Sequence, residues 1–239
     1  MEEAKFKNVL LKISGDFFAS PQVSPIDCDS LLFLSQEIQQ IYRLGLKISI
    51  VVGGGNVVRG NSLYPHGLDR YTADFMGMLA TVINGMALKS YLNLCGVPAS
   101  LYSALEIEGV VPPFNKEEII KELERGKVIL LAGGTGNPFF TTDTAAALRA
   151  VEIGAEVLLK GTKVRGIYDS DPLENPQAKF FPFLTYEEVL QKGLKIMDLS
   201  AITLCRENHL PIIVFNMREK GNLKKVIMGE KIGSKVGEK

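Results

Sequence analysis

Four glycine-rich segments hold the residues of this 239-residue chain whose types and spacing could do chemistry. Lys12-Ile13-Ser14-Gly15 closes the first apolar run, and a lysine beside Ser-Gly can hold a phosphate as a point charge. Gly53-Gly54-Gly55-Asn56 follows a second apolar run, with Arg59 and Gly60 just beyond it. Gly133-Gly134-Thr135-Gly136-Asn137-Pro138-Phe139-Phe140-Thr141-Thr142-Asp143 joins a third run to a helical pattern. Lys160-Gly161-Thr162-Lys163-Val164-Arg165 continues through Tyr168 and Asp169 to Asp171-Pro172. Phosphate binding needs backbone N–H groups close to anionic oxygens. Glycine permits that approach, and a following helix adds the positive end of its dipole.

The spacing also excludes two common nucleotide motifs. Gly55 and Gly60 are five apart, but Asn61-Ser62 stands where a P-loop requires Lys-Ser or Lys-Thr. No GxGxxG follows a strand, so a dinucleotide site is not supported. Plainer roles compete for several residues. Thr142 or Asp143 serves equally as a helix N-cap, and Asp74 as a helix-start carboxylate favoured by the dipole. Asp169 and Asp171 fit a turn before Pro172, and Phe139 and Phe140 fit a wall better than a base-stacking pair. His66 and His209 stand apart, and no Ser/His/Asp constellation exists. The arrangement suits phosphoryl transfer, where positioning and charge neutralisation supply most of the rate and a phosphate acceptor brings its own nucleophilic oxygen.

Alternating elements must position these segments. Strands are expected at Val9–Ile13, Leu46–Val52, Val97–Tyr102, Lys127–Leu131 and Ala155–Lys160, the last stopped by Gly161. Helical periodicity runs over Leu31–Leu44, Thr72–Leu94, Glu117–Arg125 and Ala145–Ile153, each followed by glycine within two residues. In the long second helix, Phe75, Leu79, Val82, Ile83, Met86 and Leu88 define the expected apolar face. Beyond residue 160 the pattern predicts helices at Glu187–Gln191 and Met197–Asn208 and a strand at Pro211–Phe215. Such alternation argues for α/β architecture with a largely parallel sheet, whose ligand loops lie at the carboxyl ends of the strands. Asp169–Pro182 reads as a long surface loop that could border two lobes.

Composition narrows the class. Lys+Arg and Asp+Glu are 27 each, a balance that argues against a general nucleic-acid binder. A chain of 26.2 kDa buries about 70% of its unfolded surface by size scaling, enough for a core without staples. No apolar run approaches the ~18 residues of a spanning helix, and no signal-peptide pattern opens the chain. Cys28, Cys95 and Cys205 lie far apart with no CxxC, so neither a zinc site nor a disulfide framework is expected. The expectation is a cytoplasmic protein without membrane or nucleic-acid partners and without a protein-held metal.

Taken in order, the motifs resemble the amino-acid kinase family, and its bacterial-type UMP kinase branch in particular. The resemblance rests on Lys12–Gly15, Gly53–Asn56 with Arg59-Gly60, Asp74–Thr81 with Asn84-Gly85, and Gly134–Asp143. Lys160–Pro172, Met197-Asp198-Leu199 and Val214–Met217 extend it from about residue 7 to 230. It implies a three-layer αβα sandwich forming a single domain over 1–239. An N-terminal lobe of about 1–160 would hold mainly UMP, and a C-terminal lobe of about 161–239 mainly ATP. It further implies transfer of the γ-phosphoryl of ATP to UMP in pyrimidine biosynthesis. Lys12, Ile13, Ser14 and Gly15 would hold ATP phosphates with Gly55 and Arg59, while Thr162, Tyr168 and Asp171 surround the adenosine. Gly54, Asp74, Thr135, Gly136, Asn137, Pro138, Phe139, Phe140, Thr141 and Thr142 would hold UMP. Lys12, Arg59, Lys160 and Lys163 are the expected catalytic charges, with Mg²⁺ carried largely by the nucleotide. A homohexamer, GTP activation and UTP inhibition are implied in the same way. The nearest rivals are an acyl-phosphate-forming kinase of the same family and a nucleotide-binding regulator without turnover.

Overall fold

The first apolar run forms the middle of the sheet in the computed structural model, which describes residues 4–20, 24–59 and 67–238. In chain order the elements are β1 (Asn8–Ile13), α1 (Cys28–Tyr42), β2 (Lys47–Val52), α2 (Arg70–Leu94), β3 (Ala99–Ser103), α3 (Lys116–Glu124), β4 (Val128–Ala132) and α4 (Thr142–Glu152). There follow β5 (Val157–Thr162), β6 (Ile167–Tyr168), β7 (Phe180–Phe181), β8 (Phe183–Leu184), α5 (Tyr186–Gln191), α6 (Leu199–Glu207), β9 (Ile212–Asn216), α7 (Asn222–Ile227) and β10 (Ser234–Val236). Eight strands make one sheet in the order β3-β4-β2-β1-β5-β9-β10-β8. The first six of these run parallel. β10 runs antiparallel to β9, and β8 runs parallel to β10.

The strands alternate their side chains between two buried layers. Val9, Leu11 and Ile13 of β1 face Leu34 and Ile38 of α1, Leu88 and Leu92 of α2, and Leu223 and Val226 of α7. Leu10 faces the opposite layer with Ile119 of α3, Ala146 and Ala150 of α4, Tyr186 of α5 and Ile202 of α6. Each fully buried Leu or Ile contributes about 1.5–3 kcal/mol. The result is a three-layer αβα sandwich, as the family resemblance implies, with the largely parallel sheet that the alternation predicts.

Three expectations need correction. Helix α4 begins at Thr142, three residues before the expected start, because the Thr141 hydroxyl caps it. Strand β5 runs through Gly161 rather than stopping there. The glycine lets β5 lie against Met217, whose Sδ would be 2.7 Å from an added Cβ. Asp169–Pro182 contains β7, which pairs with β6 as a small antiparallel hairpin.

The expected apolar face of α2 is also wrong in part. Leu79, Ile83 and Met86 are 45–48% exposed. The side facing the sheet is built from Ala73, Ala80, Thr81, Asn84 and Gly85 together with Val82 and Leu88. Small residues let the helix approach closely: a Cβ on Gly85 would stand 2.7 Å from Leu101 Cδ1.

Candidate active site

Register puts Lys12 of β1 directly beside Lys160 of β5 at the carboxyl ends of the central strands. Two like charges side by side need an anion between them, and Asp143 in the first turn of α4 supplies it. Lys160 Nζ donates to Asp143 Oδ2 at 2.7 Å and also to the Ile196 carbonyl. Lys12 Nζ lies 3.0 Å from Asp143 Oδ1, an ionic contact made off the hydrogen-bonding direction. Burial alone would raise the Asp143 pKa, but Lys12 and Lys160 together hold it below the usual carboxylate value. Burial lowers the Lys160 pKa, with Asp143 opposing and Lys12 reinforcing the shift.

The start of α4 is fixed from both ends. Thr141 Oγ1 accepts from the Asp143 and Thr144 amides at 3.0 and 3.3 Å. It also donates to Asp198, the N-cap of α6, and Thr144 Oγ1 donates to the same carboxylate at 2.8 Å. The two ammonium groups and the N-terminus of α4 attract a phosphate, and Asp143 and Asp198 offset part of that field.

A cleft of about 740 Å³ opens on one side of this cluster. Of the residues expected around ATP, Lys12, Ser14, Thr162, Tyr168 and Asp171 line it, together with Lys160 and Lys163. Asp16 also lines it and forms ion pairs with Arg59 and with Lys163, the latter at 3.4 Å. Burial pushes the Asp16 pKa up, but the Arg59 hydrogen bond and Lys163 outweigh it and hold the value down. Thr162 Oγ1 donates to the Val164 carbonyl at 2.7 Å, and Asp171 Oδ1 accepts from the Leu173 amide at 2.9 Å. Asp171 therefore carries the turn role as well as facing the cleft. Arg165 stands over the Phe180 ring at 4.6 Å and does not line this cleft.

A second cleft has a volume of about 580 Å³. Of the residues expected around UMP, Gly54, Asp74, Phe139, Phe140, Thr141 and Thr142 line it. Gly55 and Arg59, expected with ATP, line this cleft too, and Arg59 Nε donates to the Gly55 carbonyl at 3.0 Å. Through its pair with Asp16, Arg59 spans the boundary between the clefts. Thr135, Gly136, Asn137 and Pro138 are not among the lining residues, and Thr135 Oγ1 instead accepts from the Asn137 amide at 3.1 Å.

The triple glycine has a packing reason beside any phosphate role. A Cβ on Gly53 would stand 2.7 Å from the Gly15 amide nitrogen, and one on Gly54 2.6 Å from the Gly77 carbonyl. Gly15 itself lies against Gly55, and neither Ile13 nor Gly15 lines either cleft. Asn84, fully buried, ties this loop to α2 by donating to the Gly53 carbonyl at 2.7 Å. Gly60 and His66 lie outside the described residues.

Sequence reasoning missed Asp143 as a bridge, Asp198 as a clamp and Asp16 as the partner of Arg59. The sequence carries no signal for the bridge, because only the β1–β5 register makes Lys12 and Lys160 neighbours. Among the described residues no three His, Cys, Asp or Glu side chains gather as a metal site. Of the carboxylates lining the clefts, Asp16 is paired with Arg59 and Lys163, Asp74 lies 3.6 Å from Arg70, and Asp169 and Asp171 accept from the Lys179 and Leu173 amides.

Known proteins share this architecture and sequence. The chain is 52% identical over 230 residues to a uridylate kinase of Magnetococcus marinus, covering 96% of this chain and 95% of that one. A solved UMP kinase from Bacillus anthracis superposes with a TM-score of 0.93 at 32% identity, covering 97% and 96% of the two chains. One from Ureaplasma parvum gives 0.91 at 36% identity, with both chains covered completely. The family model described as "Amino acid kinase family" matches residues 7–216, which span the lysine-bearing strands and both clefts, and the chain belongs to that family.

Proposed function

We propose that this chain is a nucleoside monophosphate kinase that transfers the γ-phosphoryl group of ATP to UMP, giving UDP and ADP for pyrimidine nucleotide synthesis. The observation that carries this reading is the Lys12–Asp143–Lys160 cluster, whose lysines line the first cleft and whose Asp143 directly follows Thr141 and Thr142 of the second. Uridylate kinase relatives and UMP kinase structures support UMP as the acceptor.

In this reading ATP occupies the cleft with Ser14, Thr162, Tyr168 and Asp171, and UMP the cleft with Gly54, Asp74 and Phe139–Thr142. A UMP phosphate oxygen attacks the γ-phosphorus in line as the bond to the ADP oxygen breaks. Lys12 and Lys160 neutralise charge on the transferring group, while Arg59 and Lys163 act from the rim through Asp16. Mg²⁺ would come with the donor phosphates, since the described side chains supply no cage. This reading keeps an acceptor lobe of about 1–160 and a donor lobe of about 161–239, with Lys12, Ser14, Asp16, Phe17 and Lys160 of the first lobe reaching into the donor cleft.

The same reading includes self-association as a homohexamer, supported by the exposed apolar stripe on α2. GTP activation and UTP inhibition rest on the family resemblance alone. A cytoplasmic location is favoured by three unpaired cysteines and by the lack of a membrane-length apolar helix among the described residues.

The test is an ADP-release assay with UMP, CMP, acetylglutamate and aspartate as acceptors, repeated with GTP and with UTP. Turnover with UMP is expected. Turnover with an amino acid but not UMP, or binding of ATP and UMP without UDP formation, overturns the reading.

A further inference from the structure

Phe139 has a φ of 72°, and among the described non-glycine residues only His209 shares the left-handed region. A bulky aromatic residue there is an outlier that persists only when its surroundings hold it. Here the N-terminal end of α2 holds it at several points. Asp74 Oδ2 accepts from the Phe139 amide at 2.7 Å. Arg70 Nη2 donates to the Phe139 carbonyl at 3.4 Å, and the Arg70 guanidinium stands 4.9 Å from the centre of the Phe139 ring. Arg70 Nε also lies 3.6 Å from Asp74 Oδ2, one helical turn on. One guanidinium thus touches the backbone, the ring and the anchoring carboxylate of the same strained residue.

We propose that Arg70 is a positioning residue of the acceptor cleft, locking Phe139 and Asp74 together so that the loop reaches Phe140, Thr141 and Thr142 in its productive shape. The inference rests on the assignment of this cleft to UMP. Asp74, Phe139, Phe140, Thr141 and Thr142 all line it, so an error at Phe139 propagates along one wall of the acceptor cleft. The same loop then runs into Asp143, the bridge between the two lysines. Lysine cannot replace the arginine, because only a planar fork can donate to the carbonyl and stack on the ring together.

The experiment combines two readouts on Arg70→Ala, Arg70→Lys, Phe139→Gly and the Arg70→Ala/Phe139→Gly double variant. Glycine adopts positive φ without strain, so Phe139→Gly removes the need for a lock. Hydrogen exchange over residues 134–142, measured without nucleotide, is expected to quicken in Arg70→Ala and Arg70→Lys. KM for UMP is expected to rise roughly tenfold in both, the scale of losing one cation–π contact and one charged hydrogen bond, with KM for ATP little changed. In the Phe139→Gly background, adding Arg70→Ala is expected to raise KM for UMP by less than about twofold, because coupled residues are non-additive. An unchanged exchange rate overturns the positioning role. A full tenfold effect in both backgrounds means that Arg70 touches the acceptor directly, which also overturns it. Wild-type enzyme that binds and turns over no UMP refutes the acceptor assignment instead, and the exchange readout still decides whether Arg70 holds the loop.

Discussion

Asp143 is the residue on which the charges of the site depend, because it is the only anion in contact with both Lys12 and Lys160 among the described ion pairs. Removing it leaves two neighbouring ammonium groups against a helix N-terminus. Asp143→Asn is therefore expected to destabilise the fold by about 3–5 kcal/mol, the scale for leaving a buried charge without its partner. It should also lower kcat/KM by roughly 10²-fold or more, the scale for disrupting one electrostatic stabiliser. The pH dependence has a definite sign. The Asp143 pKa is lowered from the ordinary 3.8 by its two lysines, so its stabilisation is complete above about pH 4 and is lost as pH falls through the lower folded value. Denaturant titrations from pH 7 downward should show this acid loss in the wild type and a shallower slope in Asp143→Asn. Equal slopes and equal stability would remove Asp143 from this role. None of this bridge was legible as a bridge in the sequence. Lys12 and Lys160 are 148 positions apart, and only the β1–β5 register makes them neighbours.

At the scale of elements, most strands and helices were readable because each has a period, a length and a glycine stop. The short ones were not. β6, β7 and β8 have two residues each, too few for any periodicity. The inward face of α2 was misread for a different reason: apolarity there does not mark burial. Close approach to the loops and sheet needs small residues, so Ala80, Thr81 and Gly85 face inward and larger side chains face out. The same close approach makes Gly54 a test of whether packing or ligand contact requires the triple glycine. A Cβ there would stand 2.6 Å from the Gly77 carbonyl and 2.8 Å from Ala80 Cβ, both on α2. Gly54→Ala is expected to cost about 1–3 kcal/mol by overpacking, read as a lower Tm in the absence of nucleotide. An unchanged Tm with weakened UMP binding would assign Gly54 to the ligand alone.

At the scale of the whole molecule, zero net charge conceals a basic centre, and an ordinary composition conceals an apolar seam. Met76, Leu79, Ile83 and Met86 are 37–48% exposed and follow one another at spacings of three, four and three. That is the spacing of a helix that meets another helix along a narrow seam. Tyr71, 57% exposed, extends the apolar surface at the start of α2. Scattered exposed apolar residues need no explanation, but a row along a single helix marks an interaction surface. The proposed self-association would place a second copy on it, since two identical seams are self-complementary about a two-fold axis. Ile83→Glu separates this from a bare surface. On a free monomer the substitution changes stability by no more than about 0.5 kcal/mol. Across a paired seam it sets two carboxylates into an apolar contact and drives the copies apart. Light scattering coupled to size exclusion should therefore give the wild type a mass several times 26.2 kDa and Ile83→Glu a smaller one, with the circular dichroism of both alike. A monomeric wild type, or a variant with undiminished mass, removes α2 from the assembly.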